Sequence, residues 1–174
     1  MIEPPATAPA HLILIGLPGA GKSTHGKRVA RQAGRPFIDL DRRIVQLAGR
    51  SIPQLFREDG ESGFRAFERQ ATEALLLEPP SIVAPGGGWM MDPGNVTLVK
   101  PAAIIIWLQV SPRLAVKRMG ARIRLRPLLR RVDPVGALEK LLESRAPRYA
   151  AADVVIDTEL LDWKRVAAAI LAHV

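Results

Sequence analysis

The nine residues GLPGAGKST (16–24) follow directly on the apolar run LILI (12–15). Such a run reads as a buried strand, and the chain from Lys22 onward carries helical spacing, so the glycines stand at a strand-to-helix junction. Gly16 and Gly21, with four residues between them and followed by Lys22 and Ser23, form the phosphate-loop pattern. Glycines there let backbone N–H groups turn inward around a β-phosphate, and the helix N-terminus adds partial positive charge. Lys22 then reaches the β- and γ-phosphates, and the Ser23 hydroxyl binds Mg²⁺. Gly19, Ala20, Gly21, Lys22, Ser23 and Thr24 are the nucleotide-binding candidates.

Outward from this junction, short apolar runs alternate with longer helical patterns. HLILIG, PFIDL, SIVAP, AAIIIWLQV and DVVID are continuous in apolar residues, as parallel strands buried on both faces are. Helices are expected over 22–33, 51–59, 61–78, 134–151 and 163–173. Ser51 with Gln54 reads as a capping box, and Ser111-Pro112 and Asp133-Pro134 place a capping side chain ahead of a first-turn proline. The expected fold is α/β, a three-layer α/β/α domain with a five-stranded parallel sheet, its ligands at the carboxyl ends of the strands. Residues 1–10 read as a disordered tail and 11–174 as one domain.

The composition narrows the chemistry. The 174 residues include no cysteine, which excludes disulfides, thiolate zinc sites and cysteine nucleophiles. Three histidines, His11, His25 and His173, are too scattered for a metal cluster. Neither a transmembrane-length apolar run nor a signal peptide is evident, so a cytoplasmic protein without membrane contact is expected. Sparse aromatic content and no evident exposed apolar helix point to a monomer.

The net charge of +8 is local: eight basic residues and no acid lie between Arg113 and Arg131, and the other basic and acidic residues number 17 each. A local patch calls for a local anion. Nucleic acid usually takes a broader stripe with aromatics, which this segment lacks, so no nucleic-acid partner is expected.

Three further stretches carry chemistry. In Phe37-Ile38-Asp39-Leu40-Asp41, two carboxylates two residues apart in an extended segment face the same way, towards the phosphate loop. One would hold water on magnesium and the other would accept a hydrogen bond or proton from a hydroxyl; the competing reading is that Asp41 only caps the next helix. Arg65 has Glu61 four residues before it and Glu68 three after, a braced guanidinium suited to clamping a carboxylate, or else a surface ion-pair ladder. Pro85-Gly86-Gly87-Gly88 follows the third strand and lets a ligand approach the main chain.

Taken together, GLPGAGKST, FIDLD, SIPQLFREDGESGFRAFE, the GGG turn, IIWLQVSPRLAVKR, RPLL, SRAPRY and IDT resemble the shikimate kinase family from His11 to Val174. The resemblance implies a nucleoside-monophosphate-kinase-like fold with a mobile lid, here about residues 113–131. It also implies transfer of the ATP γ-phosphoryl group to the 3-hydroxyl of shikimate, in aromatic amino-acid biosynthesis. By the same resemblance, Lys22 and Ser23 handle phosphate and Mg²⁺, and Asp39 supports the metal through water. Asp41 binds the reacting hydroxyl, while Arg65, Arg145 and the Gly87 backbone hold shikimate, both arginines on its carboxylate. Arg126 closes from the lid onto the transferring phosphate, and Arg118 lies against adenine. Lys22, Asp41 and Arg126 are thus the catalytic set.

The chain departs from common family patterns at Pro85, often a hydroxyl residue, and at Val96, often an arginine. It is about one residue longer between Arg118 and Arg126, and Glu159-Leu160-Leu161 follows the Asp157-Thr158 pair, which suggests a differently walled adenine pocket. Two other readings use the same loop. A gluconate-type sugar-acid kinase does not predict FIDLD, FR and GGG together. A non-catalytic ligand-sensing domain does not call for an intact Lys22, Asp41 and Arg126.

Overall fold

Alternate residues of strand β1 (His11–Ile15) enter two different cores. Leu12 and Leu14 join Ile106, Leu108, Val29, Ala115, Leu138, Val166 and Ile170 on one face, whereas Ile13 and Ile15 join Ile105, Trp107, Ile44, Phe64, Leu75, Trp89 and Tyr149 on the other. The period-two geometry of a strand, applied to an unbroken apolar run, makes a sheet covered by helices on both sides. This computed structural model describes residues 10–125, 129 and 132–174. Residues 1–9 of the tail expected over 1–10, and Arg126, lie outside the described residues.

The other strands are β2 (Phe37–Asp39), β3 (Ile82–Ala84), β4 (Ala103–Gln109) and β5 (Val154–Asp157). They form one five-stranded sheet of order β2-β3-β1-β4-β5, parallel throughout. Each strand therefore delivers its carboxyl end to the same edge: Gly16 after β1, Asp41 after β2, Gly86 after β3, Ser111 after β4 and Thr158 after β5.

The helices are α1 (Lys22–Ala33), α2 (Leu40–Ala48), α3 (Ile52–Glu58), α4 (Gly60–Leu75), α5 (Pro93–Val99), α6 (Pro112–Met119), α7 (Pro134–Tyr149) and α8 (Trp163–Leu171). The expected helix starts hold: Ser51 N–H donates to Gln54 Oε1 at 3.0 Å, Leu114 N–H to Ser111 Oγ at 3.3 Å and Gly136 N–H to Asp133 Oδ1 at 2.9 Å. Helix α4 stops at Leu75 rather than running to Glu78. Of the segment expected to be a lid, residues 113–119 lie in α6 and 120–125 form a 3₁₀ helix.

The extended stretch expected through Asp41 is corrected. Strand β2 ends at Asp39, which caps α2 by accepting from Arg42 N–H at 3.2 Å. Asp41 sits in the first turn of α2, so the two carboxylates do not share a strand face. The capping role belongs to Asp39.

At the opposite end of the sheet, His11 is buried and its Nδ1 accepts from Ser81 N–H at 3.1 Å. Burial pushes its pKa below the ordinary 6.5, more than the nearby Leu75 carbonyl and Glu78 raise it, and Arg35 lowers it further. The imidazole folds neutral, so its contribution is present above the unfolded pKa and is lost as pH falls through the folded one. His11→Asn, whose Oδ1 can accept from the same N–H, should flatten part of the stability loss between pH 7 and 5. Urea midpoints at the two pH values measure it.

Candidate active site

The phosphate loop is held open by its glycines. Gly19 and Gly21 take φ of 88° and 92°, left-handed conformations that disfavour a side chain, and a methyl group on Gly19 would stand 2.6 Å from Ala115 O. Helix α1 begins right after Gly21 with no capping side chain, leaving first-turn N–H groups facing the loop as an anion site. Lys22 Nζ donates to Gly16 O at 2.8 Å and to Leu17 O at 3.1 Å. The ammonium is thus folded across its own loop, placed over the hollow a phosphate would fill. Ser23 and Thr24 are exposed at the mouth, whereas Ala20 is buried with its N–H on Leu17 O at 3.1 Å.

Beside the loop, three helices aim one side chain each at three consecutive glycines. A methyl group on Gly86 would lie 2.6 Å from Asp41 Oδ1, one on Gly87 2.7 Å from Arg145 Nη1, and one on Gly88 3.2 Å from Arg65 Nη2. The same position on Gly87 is 3.9 Å from Gly16 O, so the glycine turn abuts the phosphate loop. Any side chain on this turn would fill the space where Asp41, Arg65 and Arg145 converge.

The two arginines are held differently. Arg145 Nη1 donates to Gly87 O at 2.7 Å, and Tyr149 Oη, one turn further along α7, donates to the same carbonyl at 2.9 Å. Arg65 Nη1 donates to Glu68 Oε2 at 2.6 Å and to Gly88 O at 3.3 Å, and its Nη2 to Glu61 Oε1 at 3.1 Å. Burial works against the Arg65 charge, but the hydrogen bonds and charges of Glu68 and then Glu61 outweigh it and raise its pKa. For Glu68, with 2% of its side chain exposed, burial dominates and pushes the carboxyl upward against the pull of Arg65; the Asp41 charge adds to the rise. Asn95 Nδ2 supports this carboxylate at 3.4 Å and donates to Trp89 O at 3.2 Å. Arg65 is braced as its spacing suggests, on a buried carboxylate rather than on a surface ladder.

On the other side of the phosphate loop lies a cleft of about 440 Å³, walled by Gly19, Lys22, Arg118, Leu161 and Trp163 among others. Arg118 Nη1 donates to Thr158 Oγ1 at 2.8 Å and Nη2 to Thr158 O at 2.6 Å, which ties α6 to the end of β5. His25 also lines the cleft, its pKa lowered by burial and then by Arg118 and Arg28.

The sequence candidates therefore fall into two adjoining groups. Gly19, Gly21, Lys22, Ser23, Thr24 and Arg118 line the cleft, and Asp41, Arg65, Gly87 and Arg145 surround the glycine turn. Asp39 ends β2, the edge strand of the sheet, and its side chain is engaged in capping α2. Sequence reading passed over Tyr149, Arg28 and Trp163. Tyr149 had a signal, since it stands one helical turn after Arg145; Arg28 and Trp163 meet only through the packing of α1 on α8.

Similarity to known proteins agrees with this geometry. The family described as shikimate kinase matches residues 18–174. A shikimate kinase of Caulobacter vibrioides is 41% identical over 147 residues, 84% of this chain and 73% of that protein. The structure of a shikimate kinase from Acinetobacter baumannii in complex with shikimate superposes with a TM-score of 0.84 at 32% identity, covering 95% of this chain and 92% of that one. A gluconokinase from Sinorhizobium meliloti covers 97% of this chain and 93% of its own with a TM-score of 0.63, but its 20% identity shows a shared fold alone. With its glycine turn and phosphate loop in this arrangement, the chain belongs to the shikimate kinase family.

Proposed function

We infer that this protein is a shikimate kinase, an ATP-dependent phosphotransferase that converts shikimate to shikimate 3-phosphate in aromatic amino-acid biosynthesis. The observation that carries the reading is the convergence of Asp41, Arg145 and Arg65 on Gly86, Gly87 and Gly88, directly against the phosphate loop. Two guanidiniums and a carboxylate match an acceptor that bears both a carboxylate and a hydroxyl.

In the proposed reaction, Arg65 and Arg145 hold the shikimate carboxylate and the Gly87 backbone supports the ring. Asp41 accepts a hydrogen bond from the 3-hydroxyl and takes its proton as the oxygen bonds to the γ-phosphorus. The bond from the γ-phosphorus to the β–γ bridging oxygen breaks and ADP leaves. Lys22, released from Gly16 O and Leu17 O, tracks the β- and γ-phosphates together with the N–H groups of α1. The transition state is loose, so positioning and charge supply most of the rate.

The residues fit Mg²⁺. Ser23 stands exposed in the first turn of α1 beside Lys22, and its hydroxyl is a hard oxygen donor of the kind this cation takes while it keeps waters and phosphate oxygens. Ser23 and, through water, Asp39 would hold it, and when bound it neutralises charge on the phosphates. Arg126, outside the described residues, is proposed to meet the transferring phosphoryl group and Arg118 the adenine.

Soluble small molecules suffice as partners, and no described helix is long and apolar enough to cross a membrane. A coupled assay for ADP release with shikimate, with gluconate and with no acceptor tests the function. Turnover should require shikimate; turnover with gluconate but not shikimate would overturn the assignment.

A further inference from the structure

The carbonyl of Gly87, the middle residue of the glycine turn, takes two donors from one helix. Arg145 Nη1 reaches it at 2.7 Å and Tyr149 Oη at 2.9 Å. The two side chains stand four residues apart on α7, a spacing that brings them onto one helix face. A carbonyl oxygen can offer one lone pair to each, so its accepting capacity is met within the protein. The flanking carbonyls are engaged as well: Gly86 O accepts from Trp89 N–H at 3.1 Å, and Gly88 O from Met91 N–H at 3.0 Å.

The two donors differ in their freedom to move. Tyr149 is fully buried, and its ring packs against that of Trp107 with centroids 5.6 Å apart. Burial pushes the phenol above its ordinary pKa of 10, more than the adjacent Arg145 draws it down, so the hydroxyl keeps its proton at neutral pH. Arg145 is only partly buried and carries its guanidinium on a flexible stem. Tyr149 is the fixed donor and Arg145 the movable one.

We propose that Tyr149 is a positioning residue for the acceptor: its hydroxyl holds the Gly87 carbonyl against α7, so that Arg145 can leave that carbonyl for a substrate carboxylate without loosening the turn. The proposal rests on reading Arg145 and the glycine turn as the acceptor site. Without the hydroxyl, a bound carboxylate that draws Arg145 away strips a partly buried oxygen of both side-chain donors. That cost falls on the bound state. Acceptor affinity therefore drops, while the chemical step at Asp41 and the phosphate loop is spared.

The test is Tyr149→Phe in the full chain, which keeps the ring against Trp107 and deletes one donor. At saturating MgATP, the KM for shikimate should rise about fivefold or more, as for an acceptor left without its donor. Because the loss is one of binding, kcat should stay within about twofold, and ADP affinity by calorimetry should hold. Replacing Tyr149 by p-aminophenylalanine, whose N–H can donate from the same place, should restore most of the KM. Ligand-free protein supplies a readout that needs no substrate. Amide exchange at Trp89 and Met91 should quicken about threefold or more in Tyr149→Phe, as the loss of one hydrogen bond allows. Leu12 N–H, which donates to Ser81 O at 3.0 Å at the opposite end of the sheet, should exchange as before. An unchanged KM, a parallel fall in kcat and ADP affinity, no rescue by the amino analogue, or equal quickening at Leu12 would overturn the proposal. Wild-type protein that does not turn over shikimate would sink the acceptor reading instead, and the exchange comparison would still decide whether Tyr149 holds the turn.

Discussion

Asp41→Asn is expected to lower kcat by about 100-fold or more, within the range a positioned acid or base supplies, while shikimate still binds. The amide keeps the size of the carboxylate and can still accept a hydrogen bond from the hydroxyl, but it cannot take the proton. The fold should tolerate the change well. Asp41 raises the pKa of the buried Glu68 by its charge, so removing that charge eases the strain on the Glu68 carboxylate. Unchanged or slightly higher thermal stability, an unchanged Kd for shikimate and a collapsed single-turnover rate form the expected pattern. A fall of only a few-fold would mean that the proton leaves late in a loose transition state and that Asp41 orients the hydroxyl without acting as its base.

How far the sequence carries depends on how local the chemistry is. The phosphate loop is readable because its strand, turn and helix are consecutive, and its glycines answer to a backbone conformation that few other residues adopt. The brace around Arg65 is readable for the same reason: spacings of three and four on one helix bring the partners together without help from the rest of the chain.

Asp41 shows where this ends. Spacing aims it from an extended strand at the phosphate loop, whereas the structure sets it against the glycine turn from a helix. The strand stops at Asp39, and the first turn of α2 swings Asp41 towards Gly86. β2 passes into α2 with no loop between, so no breaker marked the junction. Arg28 and Trp163 lie beyond any local rule, since only the packing of α1 against α8 joins them.

The pairing of Arg65 with Glu68 separates binding from folding. Arg65→Ala should raise the Kd for shikimate roughly 10- to 150-fold, the equivalent of losing a charge-assisted partner worth about 1.5–3 kcal/mol. It should also destabilise the fold by up to about 3 kcal/mol, because a buried carboxylate is left without its counter-charge. Glu68 can relieve part of that cost by taking a proton, as its pKa is already raised from 4.5 and rises further without Arg65. With the folded pKa above the unfolded one, the variant keeps its stability below the unfolded pKa and loses it as pH climbs through the folded value. The destabilisation should thus be larger at pH 8 than at pH 5. Adding Glu68→Gln removes the stranded charge, so the double variant should recover most of the stability and its pH dependence while shikimate affinity stays low. Arg145→Ala supplies the contrast. Gly87 O keeps its bond from Tyr149, so affinity should fall with a smaller loss of stability than in Arg65→Ala. Nucleotide affinity, read on the other side of the phosphate loop, should hold in all three variants. If the double variant regained shikimate affinity along with its stability, Arg65 would be a support for helix α4 and not a hand on the substrate.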